Sequence, residues 1–127
     1  MHACTVLIVD DEPQVRSLIR AVLSKNGLLT VEANDGISAI STVQDSGDAI
    51  DVIIYDYSVP GCGGATFAIL VKSLFPAMPI ILMSSGEAEY DSLSIDVHIP
   101  KPFVPAELRD TVRRLCKRHL TAKAHWA

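Results

Sequence analysis

The chain has 127 residues, 49% of them hydrophobic and 20% charged, a length and balance that fit one globular domain and exclude disordered, collagen-like and low-complexity classes. Eleven Lys and Arg against fifteen Asp and Glu leave a net charge of −4, which excludes a molecule that is basic overall and built for nucleic acid. No apolar run approaches the roughly 18 residues of a membrane helix, and the start, Met1-His2-Ala3-Cys4, has neither the basic region nor the small-residue cleavage site of a signal peptide.

Taken in chain order, short apolar runs alternate with helical periodicity. Cys4 to Val9 is a continuous apolar run rich in β-branched residues, the pattern of a strand covered on both faces. Asp10-Asp11-Glu12 ends it, and Pro13 suits the first turn of a helix. Val15, Leu18, Ile19, Val22 and Leu23 then follow at helical spacing until Asn26-Gly27. Leu28 to Ala33 reads as a second strand. Ile37, Ile40 and Val43 stripe a second helix that ends near Ser46-Gly47. Ile50 to Tyr55 reads as a third strand, followed by a loop over residues 56–64. Phe67, Leu70, Val71 and Leu74 mark a third helix that Pro76 stops. Pro79 to Met83 reads as a fourth strand, and Ile95 to Ile99 as a weak fifth. Pro105 opens a last helix with Leu108, Val112, Leu115 and His119 on one face. The domain expected is single, residues 1–127, with its core over 4–120 and a short tail over 121–127.

Five strands alternating with helices predict a parallel α/β sheet with helices on both faces. Ligands in such sheets bind outside the carboxyl ends of the strands. That edge collects Asp10 and Asp11 after the first strand, Asp56 after the third, Ser84 after the fourth and Lys101 after the fifth. Crowded carboxylates stay ionised only beside a cation, and a hard divalent ion with oxygen ligands, Mg²⁺ above all, answers that need. Three carboxylates, a dication and Lys101 balance, and an aspartate so placed is able to act as a nucleophile toward phosphorus.

Four segments in this order resemble bacterial response-regulator receiver domains: Val6 to Pro13 (VLIVDDEP), Ile54 to Gly61 (IYDYSVPG), Ile81 to Ser85 (ILMSS) and Lys101-Pro102-Phe103. The resemblance covers about residues 4 to 120. It implies a flavodoxin-like, doubly wound sheet of strand order 2-1-3-4-5. It makes Asp56 the phosphoacceptor, and gives Mg²⁺ (or Mn²⁺) to Asp10, Asp11, Asp56 and the backbone carbonyl of Ser58. Ser84 and Lys101 become the phosphate contacts, and Lys101–Pro102 a cis peptide. The implied donor is a sensor histidine kinase or phosphotransfer protein. The implied output is contact with a downstream protein or a second copy of the chain, in the cytoplasm, with no membrane and no nucleic acid involved. The chain is then a phosphoacceptor rather than an enzyme, with at most slow self-phosphorylation and dephosphorylation.

The sequence also departs from the family. The switch position on the fifth strand, aromatic in relatives, is His98, which keeps a flat side chain able to change rotamer. Only 17 positions separate Ser84 from Lys101, so the helix between the fourth and fifth strands is expected to be short or irregular. Gly86 has no side chain to shield a phosphoryl group, which predicts an acyl phosphate that is not unusually long-lived. Residues 109–127 carry a net +5, read as a solvated basic face before a docking surface. The three cysteines, Cys4, Cys62 and Cys116, are odd in number and widely spaced, which argues against a disulfide framework or a zinc site and suits a reducing cytoplasm. His2, His119 and His125 show no ligand spacing.

Two readings other than a stand-alone phosphoacceptor stay open: a pseudo-receiver that signals without phosphorylation, and a receiver fragment of a larger regulator or hybrid kinase. An aspartyl phosphohydrolase fits poorly, because Ser58 stands where such enzymes place a second aspartate. A flavin-type cofactor binder fits worse, because Asp10-Asp11-Glu12 replaces the donor-rich phosphate loop.

Overall fold

Alternation of strand and helix dictates the architecture. The computed structural model describes residues 3–86, 88 and 94–126. The elements run β1 (Thr5–Val9), α1 (Pro13–Lys25), β2 (Leu29–Ala33), α2 (Gly36–Ser46), β3 (Val52–Asp56), α3 (Gly64–Leu74), β4 (Ile80–Ser84), β5 (Val97–Pro100) and α4 (Pro105–Trp126). All strands are parallel, in the order β2-β1-β3-β4-β5. This is the doubly wound, flavodoxin-like sheet expected.

Successive strand residues point to opposite faces, and the apolar runs therefore feed two cores. Leu7, Val9, Ile53, Tyr55, Ile80 and Leu82 meet Ala39 and Val43 of α2 and Phe67 and Val71 of α3. Val6, Ile8, Ile54, Ile81 and Met83 meet Ile19 and Leu23 of α1 and Leu108, Val112 and Leu115 of α4. Strands β1, β3 and β4 lie inside the sheet, and β3 and β4 are buried throughout.

Several stripe residues expected in the core are exposed instead: Leu18, Ile37, Leu70 and Leu74, along with Leu29 and Val31 on β2. A two-layer contact buries only part of each helix, and the small residues Ala39 and Ala68 are fully buried in it. β2 is an edge strand, and Leu29, Val31 and Glu32 on it are exposed. The last helix continues to Trp126, through most of the segment read as a tail. The short or irregular helix expected between β4 and β5 lies largely outside the described residues.

The cysteine expectation is overturned. Cys4 and Cys116 form a disulfide across 112 residues of sequence, with Cα atoms 6.2 Å apart. Cys4 opens β1 and Cys116 lies on α4, which packs on that same face of the sheet. Spacing along the chain carries no trace of such a contact. Cys62 is the free cysteine.

Candidate functional site

The carboxyl edge of the sheet brings the sequence's polar residues together. Asp10 follows β1 directly, Asp56 ends β3, Ser84 ends β4 and Lys101 follows β5. Asp10, Asp56 and Ser84 are buried, while Asp11 is exposed. Carboxylate oxygens of Asp10, Asp11 and Asp56 all lie within 4.8 Å of one another.

Lys101 crosses this cluster. Its Nζ lies 2.9 Å from Oδ1 of Asp56 and 3.3 Å from Oδ2 of Asp10. Burial works to lower the lysine's pKa, but the hydrogen bond to Asp56 and the charges of Asp10 and Asp56 raise it on balance. Asp10 moves the other way from an ordinary carboxyl. Burial raises its pKa, and the Glu12 N–H and Lys101 only partly offset that. The Glu12 N–H donates to Oδ1 of Asp10 at 2.9 Å, so this carboxylate also helps close the turn into α1. One lysine among three clustered carboxylates leaves negative charge that a hard dication suits, so the residues present fit a Mg²⁺ or Mn²⁺ ion. The lysine is held in turn by its backbone, whose N–H donates to the Ser84 carbonyl at 2.6 Å. The Lys101–Pro102 bond is cis, as expected.

Two partners were not legible in the sequence. The Ser58 hydroxyl donates to Oδ2 of Asp56, so Ser58 contributes a side chain here besides the carbonyl assigned to it. Arg16 of α1 donates to the Asp10 carbonyl at 2.6 Å and bonds Glu32 of β2 at 3.3 Å. Both contacts depend on how loops and helices meet, and residue type gives no hint of them.

Ser84 points along the edge. Its Oγ lies 3.0 Å from the Gly86 carbonyl and 2.7 Å from Nε2 of His98. A hydroxyl has one proton. If it goes to Gly86, whose carbonyl only accepts, then Nε2–H of His98 donates to Ser84. The loop after β3 is fixed from the other side. Tyr55 stacks on Phe67 with ring centroids 4.0 Å apart, and its hydroxyl donates to the Cys62 carbonyl. The Gly36 N–H donates to the Pro60 carbonyl at 2.9 Å.

An acidic, lysine-bridged pocket at the carboxyl edge of a 2-1-3-4-5 sheet places the chain in the class of doubly wound signalling domains. The comparisons name the family: residues 6–113 match the response regulator receiver domain. This chain belongs to that family of two-component signalling domains. It is 30% identical over 120 residues to the phosphate regulon transcriptional regulatory protein PhoB of Klebsiella pneumoniae, covering 89% of this chain and 52% of that protein. It is 30% identical over 124 residues to the autoinducer 1 sensor kinase/phosphatase LuxN of Vibrio campbellii, covering 94% of this chain and 14% of that protein. The chain thus spans about half the length of the first relative and a small part of the second. Among solved structures, the chemotaxis response regulator CheY4 of Vibrio cholerae is similar at 28% identity and a TM-score of 0.80, covering 89% of this chain and 98% of that one. The receiver domain of Francisella response regulator 1452 is similar at 26% identity and a TM-score of 0.81, covering 91% and 98%. No helix among the described residues is long and apolar enough to cross a membrane.

Proposed function

We propose that this receiver is a Mg²⁺-dependent phosphoacceptor, taking a phosphoryl group onto Asp56 from the phosphohistidine of a sensor kinase or phosphotransfer protein. The observation that carries this reading is the Lys101 ammonium set between the buried carboxylates of Asp10 and Asp56. A carboxylate oxygen of Asp56 forms the new P–O bond. The P–N bond of phosphohistidine breaks, and its electron pair leaves with the imidazole. When bound by Asp10, Asp11, Asp56 and the Ser58 carbonyl, Mg²⁺ or Mn²⁺ supplies positive charge against the phosphoryl oxygens. Lys101 supplies the rest, and phosphorylation frees it from one of its two carboxylates.

The signal in this reading is a turn of Ser84. Its hydroxyl leaves Gly86 and His98 for a phosphoryl oxygen, and His98 follows toward the space released. Residues 4–120 act as one receiver core in the cytoplasm, where a donor charged by ATP works. Output passes by contact with a downstream protein or a second copy of the chain. An open groove of about 500 Å³ lined by Val15, Leu18, Lys101 and Phe103 adjoins the pocket and suits the phosphodonor domain.

Incubation with acetyl phosphate and Mg²⁺, read by intact mass, tests the proposal. One added phosphoryl group is expected, lost in Asp56→Asn and in excess EDTA. No mass gain, or an equal gain in Asp56→Asn, overturns it and leaves an interaction module that signals without phosphorylation.

A further inference from the structure

The amino edge of the sheet, opposite the phosphorylation pocket, holds a second cluster. Cys4 stands just before β1 and Asp51 just before β3. Helix α4 brings Cys116 and His119, three residues apart on one face, to the same place. All four are buried: Cys4 is 7% exposed, Asp51 0%, Cys116 3% and His119 6%. The two sulfurs and a carboxylate oxygen of Asp51 lie within 4.8 Å of one another. Nε2 of His119 lies 4.0 Å from Oδ1 of Asp51.

We propose that, once the Cys4–Cys116 disulfide is reduced, Cys4, Asp51, Cys116 and His119 form a closed tetrahedral site for Zn²⁺. A disulfide needs neither a buried carboxylate nor a buried imidazole beside it, and here the two stand next to it facing each other across 4.0 Å. Both are held as metal ligands are held. Nδ1–H of His119 donates to the Ala77 carbonyl at 3.2 Å, which turns Nε2 toward the cluster and fixes its lone pair there. A backbone carbonyl on the far nitrogen is the usual support of a zinc-bound histidine. The Thr5 N–H donates to Oδ2 of Asp51 at 2.9 Å, and the Asp51 N–H donates back to the Thr5 carbonyl at 2.8 Å. That exchange directs Oδ1 toward His119. Two thiolates with an imidazole and a carboxylate form a donor set that selects Zn²⁺ over hard cations. With zinc bonds of roughly 2.0–2.3 Å, ligand atoms in a tetrahedron stand roughly 3.3–3.8 Å apart; the two sulfurs and Asp51 already lie within 4.8 Å of one another, and His119, which faces Asp51 at 4.0 Å, closes the site by moving in toward the sulfurs as these separate.

The chemistry balances with an external dithiol as reductant. Its first thiolate attacks one sulfur, making a mixed disulfide and expelling the other cysteine's thiolate. Its second thiolate closes the dithiol's own disulfide and frees the remaining cysteine. Two electrons pass to the protein. The cysteine thiols then release two protons to solvent as Zn²⁺ takes both thiolates. A reducing compartment favours this state, and an oxidising one favours the bridge. Either way β1 stays tied to α4, and the zinc form adds Asp51 at the head of β3.

The full chain, reduced by a dithiol, desalted without oxygen and titrated with Co²⁺, tests this. A thiolate-to-cobalt charge-transfer band and the intense d–d bands of a tetrahedral centre are expected at one equivalent, and one equivalent of Zn²⁺ bleaches them. Cys116→Ser and His119→Gln each weaken binding by at least about tenfold with unchanged circular dichroism. Cys62→Ser leaves the bands intact. Asp56→Asn also keeps them, so failure of the phosphoacceptor reading leaves this one standing. Absence of the thiolate band in the reduced, folded chain overturns the proposal. So do bands undiminished in Cys116→Ser and His119→Gln, and so does a disulfide that the dithiol does not open while the chain stays folded.

Discussion

Nε2 of His98 stands 2.7 Å from Oγ of Ser84, a direct bond between an imidazole of β5 and the hydroxyl at the end of β4. A hydroxyl so held must give up this bond before it meets a phosphoryl oxygen. One neutral hydrogen bond contributes about 0.5–1.5 kcal/mol. His98→Ala is therefore expected to tighten the response to beryllofluoride with Mg²⁺ by about 2–10-fold, measured as the midpoint of NMR shift changes at Ser84. Unchanged or weaker binding in that variant shows that His98 does not restrain the hydroxyl.

Lys101 offers a sharper test of the pocket's charge balance. Its ammonium meets two nearly buried carboxylates, and removing one partner of a buried pair typically costs about 3–5 kcal/mol. Lys101→Met in EDTA is expected to lose about 2–4 kcal/mol in urea unfolding. Part of that loss is regained with Mg²⁺, which restores positive charge beside Asp10 and Asp56. Phosphorylation by acetyl phosphate falls in the same variant, because the phosphoryl oxygens lose a cation that the metal does not replace.

Asp35 predicts a pH dependence away from the pocket. It caps α2, with the Ser38 N–H donating to Oδ1 at 2.7 Å. That bond, with the Ser38 hydroxyl behind it, holds the carboxyl below its ordinary value. A carboxyl depressed in the fold stabilises it above the unfolded value, about 3.9, and the contribution fades as pH falls through the folded value. Asp35→Ala is thus expected to melt lower than wild type at pH 7, with the gap narrowing on acidification below about pH 4. Asp35→Asn keeps most of the cap, so its gap to Asp35→Ala changes little with pH. A gap between wild type and Asp35→Ala that stays constant down to pH 2 contradicts the assignment.

Why some of this was legible in sequence and some was not follows from the range of each interaction. Val6 to Val9 and Ile80 to Met83 announce buried parallel strands, because a strand covered on both faces needs apolar residues at every position. Asp10, Asp56, Ser84 and Lys101 converge for a topological reason: each sits where a strand ends, so alternation alone puts them on one edge. The bond of Ser58 to Asp56 and that of His98 to Ser84 depend on side-chain direction in a loop and across two strands. The Cys4–Cys116 bridge is the extreme case. Its partners are 112 residues apart, and only the packing of α4 on β1 brings them together. Leu18 and Ile37 err the other way, since helical spacing marks a stripe but not how wide a band of it the sheet covers.

Gly36 links the first turn of α2 to the loop that follows Asp56, and its role rests on space. A Cβ built there stands 2.5 Å from the Cys62 Cβ and 2.8 Å from both the Cys62 backbone nitrogen and the Tyr55 hydroxyl. Backbone on one side and a stacked tyrosine on the other leave little room to yield. The loop must then move, taking with it the Gly36–Pro60 hydrogen bond and the seat of Ser58. Overpacking of this kind typically costs about 1–3 kcal/mol. Gly36→Ala is expected to lose that much in urea unfolding and to slow phosphorylation by acetyl phosphate at saturating Mg²⁺, because Ser58 no longer holds Oδ2 of Asp56 in place. Gly63→Ala is the control in the same loop, since a Cβ there meets nothing within 4 Å. If both variants behave alike, the approach of Gly36 to Cys62 has no part in positioning Asp56. If Gly36→Ala alone is slow, the close contact between α2 and the loop is what keeps Asp56 aligned.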